Sequence, residues 1–192
     1  MFNNWSYILS IIIEHQKALA RRFLKKLKAI DPCSVLAGGA PRDWFLGKPA
    51  SDLDFYVHCK DDESQIVERL EALDIDFEFL RPTSKSKESS SSEGYLYNNK
   101  INAVVNVLYE YQPPIQIIFM KCDTIEAVSS FSLSLSQIIW EPKTDTFDTS
   151  VGDFILSVER KEIYKVNPLF SDEATYIEKI LNKFPEYKLV GL

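Results

Sequence analysis

The chain has little of what marks secreted, fibrous or membrane proteins. Among 192 residues there are only 3 cysteines, 2 histidines, 2 methionines and 6 glycines. Cys33, Cys59 and Cys122 are odd in number, widely spaced and form no CxxC pair, which argues against a disulfide framework and a zinc site. They read as reduced, mostly buried thiols of a cytoplasmic protein. The two histidines, His15 and His58, leave no Ser/His/Asp or Cys/His arrangement legible. Positive charge is in deficit: 22 Lys and Arg against 28 Asp and Glu give a net charge of -6. Such a field does not gather nucleic acid in general, so duplex DNA is not an expected partner. No apolar run reaches bilayer length, and Ile8–Ile13 is followed at once by Glu14, His15 and Gln16. Its positive charges, Arg21, Arg22, Lys25, Lys26 and Lys28, come after the run, the reverse of a secretory leader. No membrane partner is expected.

What is present is ordinary globular material, 45% hydrophobic and 26% charged, enough for one domain with a real core. A helix is expected over Trp5–Ala29, capped by Asn4, with Ile8, Ile12, Leu19, Phe23 and Leu27 at helical spacing. Asp31-Pro32 ends it. Strands are expected over Cys33–Ala37, Leu53–His58, Ile75–Leu80, Ile101–Tyr111 and Ile115–Met120, the last two as antiparallel neighbours. Helices are expected over Pro41–Leu46, Asp61–Leu73, Asp123–Val128 and Asp172–Phe184, and a small hairpin over Phe154–Val158 and Glu162–Val166. The serine-rich stretch 82–93 has nothing to bury and is expected as a mobile loop. The domain plan is an N-terminal helix over 1–30 packed on the core, a main domain over 31–170, and a C-terminal helix and tail over 171–192.

The chemistry is concentrated in residues 36 to 57. A short strand runs into Gly38-Gly39, then a short helix carries Arg42 and Asp43 and ends at Leu46-Gly47. Glycines let a ligand approach the backbone, and a helix start presents N–H groups to phosphate. The next strand carries Asp52 and Asp54 two residues apart, a spacing that strand periodicity places on one face. Two carboxylates on a rigid strand can hold Mg²⁺ or Mn²⁺, and such ions suit phosphoryl or nucleotidyl transfer. Either half alone is a weak signal; the order glycine turn, helix, acidic strand completes one site.

This stretch resembles the polymerase β nucleotidyltransferase superfamily, and within it the head domain of the poly(A) polymerase and CCA-adding group. The residues that carry the resemblance are Gly38, Gly39, Arg42, Asp43, Leu46, Gly47, Asp52 and Asp54. It implies an α+β nucleotidyltransferase fold, a mixed or antiparallel sheet flanked by helices, with the N-terminal helix added. It further implies that Gly38 and Gly39 face a nucleoside triphosphate and that Asp52 and Asp54 hold Mg²⁺ or Mn²⁺. Arg42 would reach phosphate or a neighbouring carboxylate, and Asp43 would lock the turn. The implied reaction moves a nucleoside monophosphate from the triphosphate to a hydroxyl of a protein, a small molecule or an RNA end.

The pattern departs from the group downstream. The place of its third carboxylate falls on Gln116, which is neither an anion nor a base; Glu110 is the nearest substitute. Ser132, Ser134 and Ser136 stand where the group has Asp, Thr and Asn, the group's arginine pair is missing, and Gly152-Asp153 matches its next motif only loosely. A degenerate relative that binds a nucleotide or a partner without catalysis is therefore the alternative. A third reading, an interaction protein, would use an exposed apolar stripe on residues 5 to 29.

Overall fold

A computed structural model of the chain describes residues 4–81, 99–108, 113–168 and 173–191. The serine-rich stretch and Glu110 lie outside them. In chain order the elements are α1 (Asn4–Leu27), β1 (Val35–Ala37), α2 (Gly39–Phe45), β2 (Leu53–His58), α3 (Glu63–Ala72), β3 (Phe77–Phe79), β4 (Ile101–Val107), β5 (Ile115–Met120) and α4 (Thr124–Ser129). A 3-10 turn (Ser134–Ser136) follows, then β6 (Ile139–Glu141), β7 (Thr146–Asp148), α5 (Phe154–Arg160), β8 (Glu162–Tyr164), α6 (Glu173–Lys183) and β9 (Lys188–Val190). Seven strands form one mixed sheet in the order β3-β4-β5-β2-β1-β6-β7, and β8 and β9 form a parallel pair beside it. Within the large sheet β2 and β5 are parallel and the other pairings antiparallel. The expected α+β plan, with a mixed sheet flanked by helices and an N-terminal helix, is the observed one.

β2 and β5 are central and covered on both faces, so both read as nearly continuous apolar runs. Leu53, Phe55 and Val57 of β2, with Ile115, Ile117 and Phe119 of β5, pack against Leu19, Phe23, Leu24 and Leu27 of α1 and Ile66 and Leu70 of α3. On the other face Tyr56, Ile118 and Met120 pack with Val104, Ala37 and Ile139 under Ala127 and Val128 of α4. Asp54 and Gln116, register partners on the two parallel strands, are polar exceptions on that second face, as is His58 at the end of β2. A third cluster joins Leu133, Leu135 and Phe154 to Ile180 of α6 and to Phe184 just after it.

Four expectations are corrected. Phe154–Arg160 is a helix, not the first arm of a hairpin; Phe154 and Ser157, three apart, are both fully buried, and Lys161 in the left-handed region (φ 55°) ends the helix. The strand after it pairs with β9 instead. Cys33 is exposed, while Cys59 is buried and Cys122 partly so. Burial pushes the Cys59 and Cys122 thiols above the ordinary value. Finally, Ile8 and Ile12 do not join the core. A helix of 24 residues is about 36 Å long, and its first two turns overhang the sheet: Trp5 is 76% exposed, Tyr7 70% and Ile11 51%, and burial starts at Ile13.

α1 is tied down further along. Lys17 Nζ reaches Asp145 (2.9 Å), Arg21 Nη2 lies 3.4 Å from the same carboxylate, and Trp140 Nε1 donates to it at 2.8 Å. Burial pushes the Asp145 pKa up, but the hydrogen bonds from Lys17 and Trp140 and the charges of Lys17 and Arg21 outweigh it, leaving the carboxyl below its ordinary value. A depressed folded-state pKa stabilises the fold above the unfolded-chain value and is lost as pH falls through the folded one. Because the carboxylate is 40% exposed, solvent screening keeps its contribution at or below roughly 1 kcal/mol. D145N is expected to lower the urea midpoint at pH 7 and to flatten the fall in stability between about pH 5 and 3, read from denaturation curves across that range.

Candidate functional site

Of the sequence-predicted residues, Gly39, Arg42 and Asp52 come together just ahead of β2. Gly38 has φ 79° and ψ -121°, a conformation open to glycine without strain, and its N–H donates to the Ile138 carbonyl at 3.0 Å. Gly39 opens α2, and Pro41 in the same turn has no N–H, so the first turn presents those of Gly39 and Ala40. A Cβ placed on Gly39 would lie 3.7 Å from Arg42 Nη2 and 3.7 Å from Asp52 Oδ1. The bare α-carbon of Gly39 therefore sits in a cradle lined by a guanidinium and a carboxylate. Asp52 stands one residue ahead of β2, and Asp54 lies within it beside Gln116.

Arg42 and Asp43 are both buried, at 5% and 1% exposure. Arg42 Nε and Nη2 each lie 2.8 Å from Asp43 Oδ1, and the guanidinium stacks 5.1 Å from the Phe184 ring centre. Asp43 Oδ2 accepts from Lys183 Nζ, which also donates to Ser51 Oγ at 3.1 Å. Lys48 donates to the Lys183 carbonyl at 2.7 Å and sits 4.4 Å over Phe184. Asp43 thus locks the short helix to α6 and, through Lys183, to the residue before Asp52. Three cations, Arg42, Lys48 and Lys183, gather at the base of the cradle.

Other candidates fall elsewhere. His58 ends β2, about 13 Å along the strand from Asp54. Tyr56 is buried in the core beneath α4, its ring 5.2 Å from that of Phe131. Trp44 packs edge-on against Trp140 and donates to Gln16 Oε1 at 2.9 Å, and Phe45 packs edge-on against Phe147 and Phe154. The basic residues of α1 belong to the helix on the sheet face opposite Asp54. Ser132 bonds the Pro168 carbonyl, Ser134 pairs with Ser157 at 2.6 Å, and Ser136 lies 3.5 Å from the Tyr176 hydroxyl. All three serve the C-terminal layer. Among the described residues, no group of three or more His, Cys, Asp or Glu side chains is placed to hold a metal. Sequence reasoning missed Lys48, Ser51, Asn106 and Lys183. A lysine 140 residues from its partner leaves no local signal.

No family model matches the chain, and no curated protein matches it in sequence. Solved structures do match. A CCA-adding enzyme in complex with CTP superposes with a TM-score of 0.60 at 14% identity, over 95% of this chain and 43% of that one. The Thermotoga maritima CCA-adding enzyme complexed with tRNA gives 0.60 at 12% identity, over 95% and 42%. The chain adopts the nucleotidyltransferase fold. A tRNA-processing enzyme in an apo form gives 0.57 at 13% identity, over 93% and 44%. The chain spans less than half the length of each of these proteins, and at these identities the likeness is one of fold. In this nucleotidyltransferase fold Lys183 of α6 ties α2, through Asp43, to Ser51 at the approach to β2.

Substitutions probe the Lys183 contact and a tight contact between Gly152 and Gln137. K183M leaves the buried Asp43 with one cation fewer and is expected to cost about 1.5–3 kcal/mol. In the K183M background D43N should cost less than in wild type, a coupling measured by a double-mutant cycle in urea. Gly152 abuts Gln137 so closely that a Cβ there would lie 2.0 Å from Oε1 and 3.1 Å from its Cβ. G152A is expected to destabilise by about 1–3 kcal/mol, and less in a Q137A background, which removes the obstructing amide while Asn167 Nδ2 still serves the Ser129 and Phe131 carbonyls.

Proposed function

We propose that this chain is a Mg²⁺-dependent nucleotidyltransferase that moves a nucleoside monophosphate from an NTP to a hydroxyl acceptor and releases pyrophosphate. The observation that carries the reading is the Gly39 cradle, lined by Arg42 and Asp52. The fold it shares with CCA-adding enzymes supports it. The donor set also fits the ion: Asp52 and Asp54 offer only oxygen for coordination, as a hard cation requires. Bound there, Mg²⁺ would lower the pKa of the attacking hydroxyl and offset charge on the phosphates.

The chain's own residues have distinct tasks in this reading. Gly38 and Gly39 let the triphosphate approach the backbone, and the N–H groups of the α2 start face it. Arg42, held rigid by Asp43, offers a fixed positive charge to a phosphate oxygen. Asp52 and Asp54 hold the cation. Asp43 itself keeps Arg42 and α6 in place. The head domain is assigned to 31–170. The acceptor is a protein, a small molecule or an RNA end; the chain spans under half of the tRNA-bound homologue in fold, so the tRNA of that complex is not carried over. The three free cysteines suit a cytoplasmic setting.

A catalytically degenerate relative is the second reading. It is favoured by Gln116 in the third carboxylate's place and by Ser132, Ser134 and Ser136, which are committed to the C-terminal layer. Calorimetry with each of the four NTPs and Mg²⁺ tests both. Metal-dependent binding that is lost in D52N/D54N, with transfer activity, is expected. G39A should keep the fold, since 3.7 Å is ordinary contact, and weaken NTP binding at least tenfold by filling the cradle. Binding without transfer to any acceptor class selects the degenerate reading; binding of no NTP by wild type overturns the enzymatic reading and leaves partner binding as the only form of the degenerate one.

A further inference from the structure

The face of the sheet that carries Asp54 also carries, beyond it, three polar side chains to which the proposed reaction gives no task. Asp54 of β2 is in register with Gln116 of β5, Gln116 with Asn106 of β4, and Asn106 with Glu78 of β3. Three of these side chains are joined. Asn106 Nδ2 donates to Glu78 Oε1 at 3.4 Å, and Gln116 Nε2 donates to Asn106 Oδ1 at 2.9 Å.

The row has a direction, and its proton inventory sets it. An ionised carboxylate only accepts, so Glu78 takes the NH₂ end of Asn106. That leaves the Asn106 carbonyl for β5, and Gln116 must turn its own NH₂ toward it. The end of the Gln116 amide turned away from Asn106 is then the carbonyl oxygen Oε1. On the other side of β5 the register partner is Asp54. Two amides in series thus convert a peripheral anion into a fixed orientation of a third side chain, and the hydrogen bond to Asn106 removes the freedom of Gln116 to flip.

Resting on the metal-dependent reading above, we infer that Gln116 Oε1 is a neutral third oxygen ligand for the divalent cation held by Asp52 and Asp54, and that Glu78 and Asn106 are positioning residues for it. An amide oxygen is an accepted donor for hard cations. The site then carries two negative charges where a three-carboxylate site carries three, so it holds the ion more weakly when empty of nucleotide, and the triphosphate supplies the missing charge. Gln116 takes no proton from the acceptor hydroxyl, because an amide has no basic site.

Mn²⁺ binding reads this without turnover. Free Mn²⁺ would be titrated by its solution EPR signal, alone and with an α,β-methylene NTP, on wild type, D52N/D54N, Q116L, Q116E, N106L and N106D/E78Q, with thermal unfolding as the control for folding. D52N/D54N should abolish binding, Q116L should weaken it about five- to tenfold, and Q116E should tighten it about tenfold by adding an anionic ligand. N106L should weaken it about threefold. N106D/E78Q, in which position 106 can only accept, should stay near wild type. Binding lost in D52N/D54N but unchanged in both Q116L and Q116E overturns the ligand role and leaves the nucleotidyltransferase reading standing. Q116L weakened with N106L unchanged overturns the positioning role of Asn106. No Mn²⁺ uptake by folded wild type, with or without the nucleotide analogue, overturns the metal-dependent reading beneath it.

Discussion

The arrangement depends on one buried carboxylate. Asp43 sits on a seven-residue helix that is too short to hold its own position by backbone hydrogen bonds. A negative charge at 1% exposure is tolerable only with cations in direct contact. Arg42 supplies one from the next residue, and Lys183 supplies the other from α6. Satisfying that charge fixes three things together: the direction of the Arg42 guanidinium, the docking of the C-terminal helix, and the residue from which Asp52 follows. Electrostatics here serves geometry more than net stability.

Much of this was legible from residues alone, for reasons that can be named. The bounds of β2 and β5 are visible because a strand covered on both faces must be apolar throughout, and a polar residue in such a run stands out. Asp54 and Gln116 are those residues. The glycine turn is legible because φ 79° at Gly38 is a position that side chains rarely take.

The rest was hidden by range or by ambiguity. Phe154-Ile155-Leu156-Ser157-Val158 reads equally as a strand, and only the α6 layer decides for a helix, by burying positions three apart. β8 and β9 are three residues each and carry no period. The overhang of α1 is invisible because a helix pattern does not say how long a surface it lies on. The Glu78, Asn106 and Gln116 row needs the register of four strands before it exists at all.

The contacts that close the site have a kinetic side. Lys183 meets Asp43 across 140 residues, and Lys17 meets Asp145 across 128. Contacts of such separation form only after the intervening chain has given up its loop entropy, and topologies built on them fold slowly. Neither the glycine turn nor the acidic strand, though adjacent in sequence, has its final support until the last helix docks. The support of the cradle is therefore owed to contacts that span most of the chain, and a chain cut before the last helix would keep the glycine turn and the acidic strand but not what holds them.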